Sequence, residues 1–195
     1  MRKILSKYSV FELIIIAMIA ALGIAVKPVV SPLVRVITGP VGVPGGVLAG
    51  GIYMMFLVLA RGVTRRWLAG TLTAIVQALI VLLSGVGSHG PMTLVTYIMP
   101  GVAVDLIVFV FERFNNIRAG STRPKLTASA CFCAGIAANV TGSFLVSIAL
   151  FNIPIVPLLL ALSVSALSGG LGGLLAFSLL GQIYKLELLV NSNED

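Results

Sequence analysis

Few side chains in this sequence are equipped for chemistry, and those few lie in or beside long apolar runs. Asp105 is the only acidic residue well inside such a run. An ionised carboxylate at the centre of a bilayer costs upward of about 3 kcal/mol, so Asp105 is expected to face other helices, paired or hydrogen-bonded. Tyr97, Gly101 and Asp105 recur every four residues and therefore share one helix face. Pro100 beside them frees the carbonyl of Thr96, which then needs another partner. Two roles are open to this face: the polar wall of a ligand cavity, or a structural anchor such as Asp105 held by a cytoplasmic arginine.

A second polar set keeps the same spacing. Gly135, Asn139, Ser143 and Ser147 form a stripe that serves either as packing glue between helices or as a ligand wall. Tyr53 and Gln77 fall inside two earlier apolar runs and are candidates for lining a cavity or for interhelical hydrogen bonds. His89, the only histidine, sits between Ser88 and Gly90 in a glycine-rich stretch where backbone can approach a ligand. Arg35 is a cation placed to attract an anionic ligand or to meet lipid headgroups. The substrate-binding candidates are thus Arg35, Tyr53, Gln77, His89, Tyr97, Asp105, Asn139 and Ser143.

Binding, not catalysis, is the chemistry these residues offer. The sequence has no G-x-x-x-x-G-K-[ST] phosphate loop, no G-x-S-x-G elbow and no H-E-x-x-H pair. Cys131 and Cys133 point about 200° apart on a helix, and with one histidine they do not make a zinc site. No enzyme activity, cofactor or metal is expected. Nor is there an arginine ladder for voltage sensing, a carboxylate chain for proton relay, or the inverted halves of a secondary carrier.

The elements that position these residues follow from composition. The chain of 195 residues is 58% hydrophobic and only 10% charged, against about 25% charged in soluble domains. Apolar runs of about 20 residues match a bilayer core. They fall at about 10–26, 43–60, 67–84, 93–111, 126–150 and 156–183, which predicts an all-α integral membrane protein, one domain over 1–195, built as a six-helix bundle. The first run is read as a retained span and not as a cleaved signal. The net charge of +7 does not indicate nucleic acid, because the basic residues form no single patch. Eleven of the thirteen, including Arg61, Arg65, Arg66 and Arg113, lie on one side of the spans, with only Lys27 and Arg35 opposite. The positive-inside rule then puts both termini in the cytoplasm of a plasma-membrane protein. The inner connections read as ordinary solvated loops. The first outer connection, Lys27 to Pro44, carries four prolines whose spacing breaks a helix, which predicts a folded cap or re-entrant segment.

Small residues mark close helix approaches. Ala161, Ser165, Gly169 or Ser168, Gly172 and Ala176 line one face of the last span, and Ala17, Ala21 and Ala25 one face of the first. The first-span face serves either internal packing or an external partner.

Size, span count, orientation and the stretch Ala17-Met-Ile-Ala-Ala21 together resemble the substrate-binding subunit, or S component, of an energy-coupling factor (ECF) transporter. The likeness covers nearly the whole chain. Gly87-Ser-His-Gly-Pro-Met-Thr-Leu-Val-Thr-Tyr97, running into Pro100, Gly101 and Asp105, is similar to members assigned to thiamine or hydroxymethylpyrimidine. The resemblance implies capture of a vitamin or vitamin precursor from outside, under the first and second outer loops. It implies delivery through a transmembrane coupling subunit and two ATP-binding subunits, with the alanine face as the contact. A stand-alone small carrier or channel is the alternative, and it would need a continuous polar pathway.

Overall fold

A computed structural model describes residues 8–38, 45–85, 90, 92–119, 126–149 and 154–191. All regular structure among these is helical: α1 (Val10–Ala25), α2 (Lys27–Thr38), α3 (Gly45–Thr64), α4 (Ala69–Leu83), α5 (Met92–Ala119), α6 (Ala128–Ala149) and α7 (Ile155–Asn191). Five segments are long and apolar enough to cross a bilayer: Val10–Val34, Val47–Thr64, Met92–Phe114, Ala128–Ile148 and Ile155–Leu186. The sixth expected span, α4, has 15 residues and reaches only about 22 Å at 1.5 Å per residue.

Local sequence explains most boundaries. Ser9 is the N-cap of α1, and the Glu12 carboxylate accepts its backbone N–H at 2.8 Å, closing a capping box. The chain re-enters helix after Val26, whose carbonyl accepts the N–H of Val30 at 3.0 Å. The prolines expected to break this region are absorbed up to Thr38. Pro28 lies in the first turn, where an N–H has no intrahelical partner, and Pro32 forfeits one bond inside α2. Between α3 and α4, Arg65 and Leu68 adopt positive φ (49° and 68°), which turns the chain back within four residues. Gly85 at φ 67° follows the end of α4, where a left-handed residue closes a helix without a Cβ penalty.

The core helix is α3, which packs against α1, α2, α4, α6 and α7, while α5 lies between α4 and α6. Its inner residues Leu57 and Val58 meet Ala74, Val104, Ala134, Ala138 and Leu180. Leu167, Leu171 and Leu175 of α7 remain exposed, as lipid-facing side chains should. The small residues of α6 and α7 bring backbone to backbone. A Cβ on Gly172 would lie 2.0 Å from the carbonyl oxygen of Gly51, and one on Gly135 would lie 2.1 Å from that of Gly169.

This contact leaves no room for a side chain. Gly172→Val should lower stability by about 1–3 kcal/mol or more, read as a fall in unfolding temperature in detergent. Gly181→Val, where a Cβ meets nothing within 4 Å, should leave it unchanged.

Candidate functional site

The candidate residues separate into three places. At one end of the bundle, where α1, α4 and α6 begin and α3, α5 and α7 end, the structure gathers charge. Arg61, 1% exposed, donates from Nη2 to both Glu112 oxygens at 2.8 Å, and its Nε lies 3.5 Å from Asp105 Oδ1. Asp105 in turn accepts the backbone N–H of Gly70 at 3.2 Å and of Thr71 at 2.7 Å, and the Thr71 hydroxyl at 2.7 Å. Leu68, at the N-cap of α4, has no side chain able to cap, so a carboxylate from a different helix does it. Of the two roles open to Asp105, the geometry is that of the structural anchor. Its oxygens are taken by α4 and Arg61, and it stands eight residues, about 12 Å, along α5 from Tyr97.

The α3–α4 turn, expected as a solvated loop, is clamped at this same end. Arg66 Nε donates to Glu12 at 2.8 Å, Tyr184 donates to the Gly62 carbonyl at 2.8 Å, and Tyr8 donates to the Trp67 carbonyl. Burial, with the Asp105 charge nearby, pushes the Tyr8 phenol up to about 12, so it stays a donor.

Asn139 and Ser143 occupy a second place, the seam of α6 with α7 and α3. The Asn139 amide donates to the Val47 and Ser165 carbonyls at 3.2 and 2.9 Å, and Ser165 donates to Ser143 at 2.6 Å. These bonds are helix-packing glue, the first of the two roles open to the stripe.

The third place is a cavity of about 50 Å³ lined by Lys27, Tyr53, Met54, Leu57, Gln77, Thr96 and Tyr97. It lies toward the opposite end, where α1 leads into α2. Three expected site residues, Tyr53, Gln77 and Tyr97, thus meet around one space, each from a different helix. Lys27 Nζ donates to the Tyr97 hydroxyl at 2.6 Å and stands 4.0 Å and 4.9 Å from the ring centroids of Tyr97 and Tyr53. The Tyr53 hydroxyl shares a 2.8 Å hydrogen bond with Ser31, tying α2 to α3. Gln77 is 5% exposed, lies against Gly23 of α1, and its Nε2 has no hydrogen-bond partner among the described residues. Buried amide donors are rarely left so.

Arg35 falls within α2, but its side chain is outside the described residues, and His89 lies outside them altogether. Ala17, Ala21 and Ala25 are exposed on the outward face of α1. Lys27 and Thr96 were not anticipated as site residues. The signal for Lys27 was its position, a lone cation closing an apolar run just before Pro28.

Asp105→Ala removes both the cap and a buried charge, so it should lower stability by about 2–4 kcal/mol. Tyr97→Phe, which removes one hydroxyl, should cost about 1 kcal/mol or less. Thermal unfolding of the purified protein in detergent compares the two.

A family model described as "ABC-type cobalt transport system, permease component" matches residues 11–137. Among solved structures, that of an S component of an ECF transporter superposes with a TM-score of 0.73 at 21% identity, covering 96% of this chain and 98% of the other. No curated protein matches in sequence.

Proposed function

The chain belongs to the family of ABC-type cobalt transport system permease components, and from that premise we propose that it is the substrate-binding membrane subunit of an ECF transporter. In this reading it captures a vitamin or vitamin precursor from outside the cell and yields it to an ATP-driven partner complex. The observation that carries the proposal is the cavity, where Tyr53, Gln77 and Tyr97 converge with Lys27 in a bundle that has the S-component fold.

The charge bias of the sequence supports placing the Arg61 end in the cytoplasm and the cavity toward the outside. Tyr8 before α1 bonds the α3–α4 turn and Tyr184 near the end of α7 bonds the last turn of α3, which supports both termini lying on one side. The cobalt of the family description does not suit this cavity. Its lining offers no carboxylate, thiolate or imidazole, and no group of three or more metal-ligating residues occurs among the described residues. The lining suits an organic molecule with a ring to set against Tyr53 and Tyr97 better, and such a ligand would have to widen the space of about 50 Å³ to enter. The resemblance of the Gly87–Tyr97 stretch makes thiamine and its pyrimidine precursor the first ligands to try.

The partner complex is expected to hold a transmembrane coupling subunit and two ATP-binding subunits. The exposed Ala17, Ala21 and Ala25 face supports α1 as the contact, because small side chains let helices approach closely. The sequence carries no G-x-x-x-x-G-K-[ST] phosphate loop, so in vesicles the subunit alone should accumulate no solute until all partners and ATP are supplied.

Two measurements test this reading. Native mass spectrometry of gently purified protein should reveal a bound small molecule, and uptake into vesicles should depend on the partners. Ala21→Trp should abolish or sharply reduce co-purification of the coupling subunit while leaving the bound molecule in place. Solute accumulation by this polypeptide alone, or loss of the ligand in Ala21→Trp, would defeat the proposal.

A further inference from the structure

The cavity carries an excess of hydrogen-bond donors and, among the described residues, a lysine with no carboxylate beside it. Lys27 brings three N–H groups, of which one goes to Tyr97. No carboxylate pairs with it among the described side chains. Glu12, Asp105 and Glu112 are all held at the far end of the bundle by Arg66, Arg61 and the start of α4. Gln77 adds an Nε2 donor with no acceptor among the described residues. The remaining polar lining does not answer them, because Thr96 donates back to the carbonyls of Met92 and Thr93, and Tyr53 is shared with Ser31. The two aromatic faces that would ordinarily hold a cationic ligand are already covered by the ammonium of Lys27, at 4.0 and 4.9 Å. A second positive charge at the same rings would be set against it at close range, where like charges repel.

We propose that the cavity takes its ligand through hydrogen-bond acceptors offered to Lys27 and Gln77, and that Lys27 rejects ligands with a fixed positive charge, metal ions included. The inference rests on the cavity being the substrate site. It names a class, an acceptor-rich heterocycle or carboxylate without a quaternary nitrogen, and it makes Lys27 the specificity-determining residue.

The test compares hydroxymethylpyrimidine, thiamine and cobalt chloride by calorimetric titration of the full-length protein in nanodiscs. The first two share a pyrimidine, and only thiamine has a fixed cation. The wild type should bind the pyrimidine at least about tenfold more tightly than thiamine, and cobalt not at all. Lys27→Met should bring the two affinities together, Lys27→Arg should keep them apart, and Gln77→Leu should weaken the pyrimidine alone. Lys27→Gln replaces Lys27→Met if that variant does not fold. Thiamine binding as tightly as the pyrimidine, cobalt binding, or an unchanged ratio in the neutral variants overturns the proposal. If neither organic probe binds, the molecule released from the purified protein decides. A neutral or anionic one lost in Lys27→Met supports the inference, whereas a permanent cation, or one retained by Lys27→Met, overturns it while leaving the transport reading intact. Absence of any ligand overturns both.

Discussion

The carboxylate of Asp105 at the first turn of α4 is the contact on which the arrangement depends. Helix starts inside a bilayer leave backbone N–H groups that water cannot reach. Here the local sequence supplies no capping side chain, and Asp105 reaches across from α5 to accept the N–H groups of Gly70 and Thr71. That sets the register of α4 against α5. Since Gln77 and Tyr97 ride on those two helices, the geometry of the cavity follows from a bond formed near the other end of the bundle. Arg61 keeps the carboxylate's charge company, and Glu112 accepts from the Nη2 of Arg61 in turn.

Polar chemistry is thereby divided between two ends. One holds the carboxylates of Glu12, Asp105 and Glu112, bonded to Arg66, Arg61 and the start of α4. The other holds the amine of Lys27 among two rings and an amide, with no carboxylate beside it among the described residues. A matched set is what a scaffold needs, and an unmatched one is what a binding site needs, because its complement has to arrive from outside. The glycine contacts of α3, α6 and α7 keep the rest of the bundle close-packed, and the cavity is lined from α2, α3, α4 and α5.

Much of this was legible in the residues. The four-residue repeat of Tyr97, Gly101 and Asp105 marked the face that packs on α4, and the stripe through Asn139 and Ser143 marked the α6–α7 seam. Spacing names the face and not the partner, so it could not say that Tyr97 lines a cavity while Asp105 caps a helix. Arg61 was read as a loop charge because positive-inside bias concerns sides, not depth. The chain turns sharply at Arg65 and Leu68, which draws Arg61 into the bundle. Lys27 was counted only as a topological charge, since nothing in its neighbours reveals that two tyrosines from distant helices close around it. The prolines at 28 and 32 predicted a break and met a helix instead, because one sits where no bond is lost.

The short α4 has a further consequence for the lipid around it. A helix of 15 residues falls roughly 8 Å short of a hydrocarbon slab about 30 Å thick. Leu79, Leu82 and Leu83 on its far half are exposed, so acyl chains must pinch inward along that flank to meet them. Hydrophobic mismatch of this kind is met by thinning the surrounding bilayer, at a modest cost per Å. The flank along α4 is therefore where the lipid, and not the protein, has to adjust its thickness.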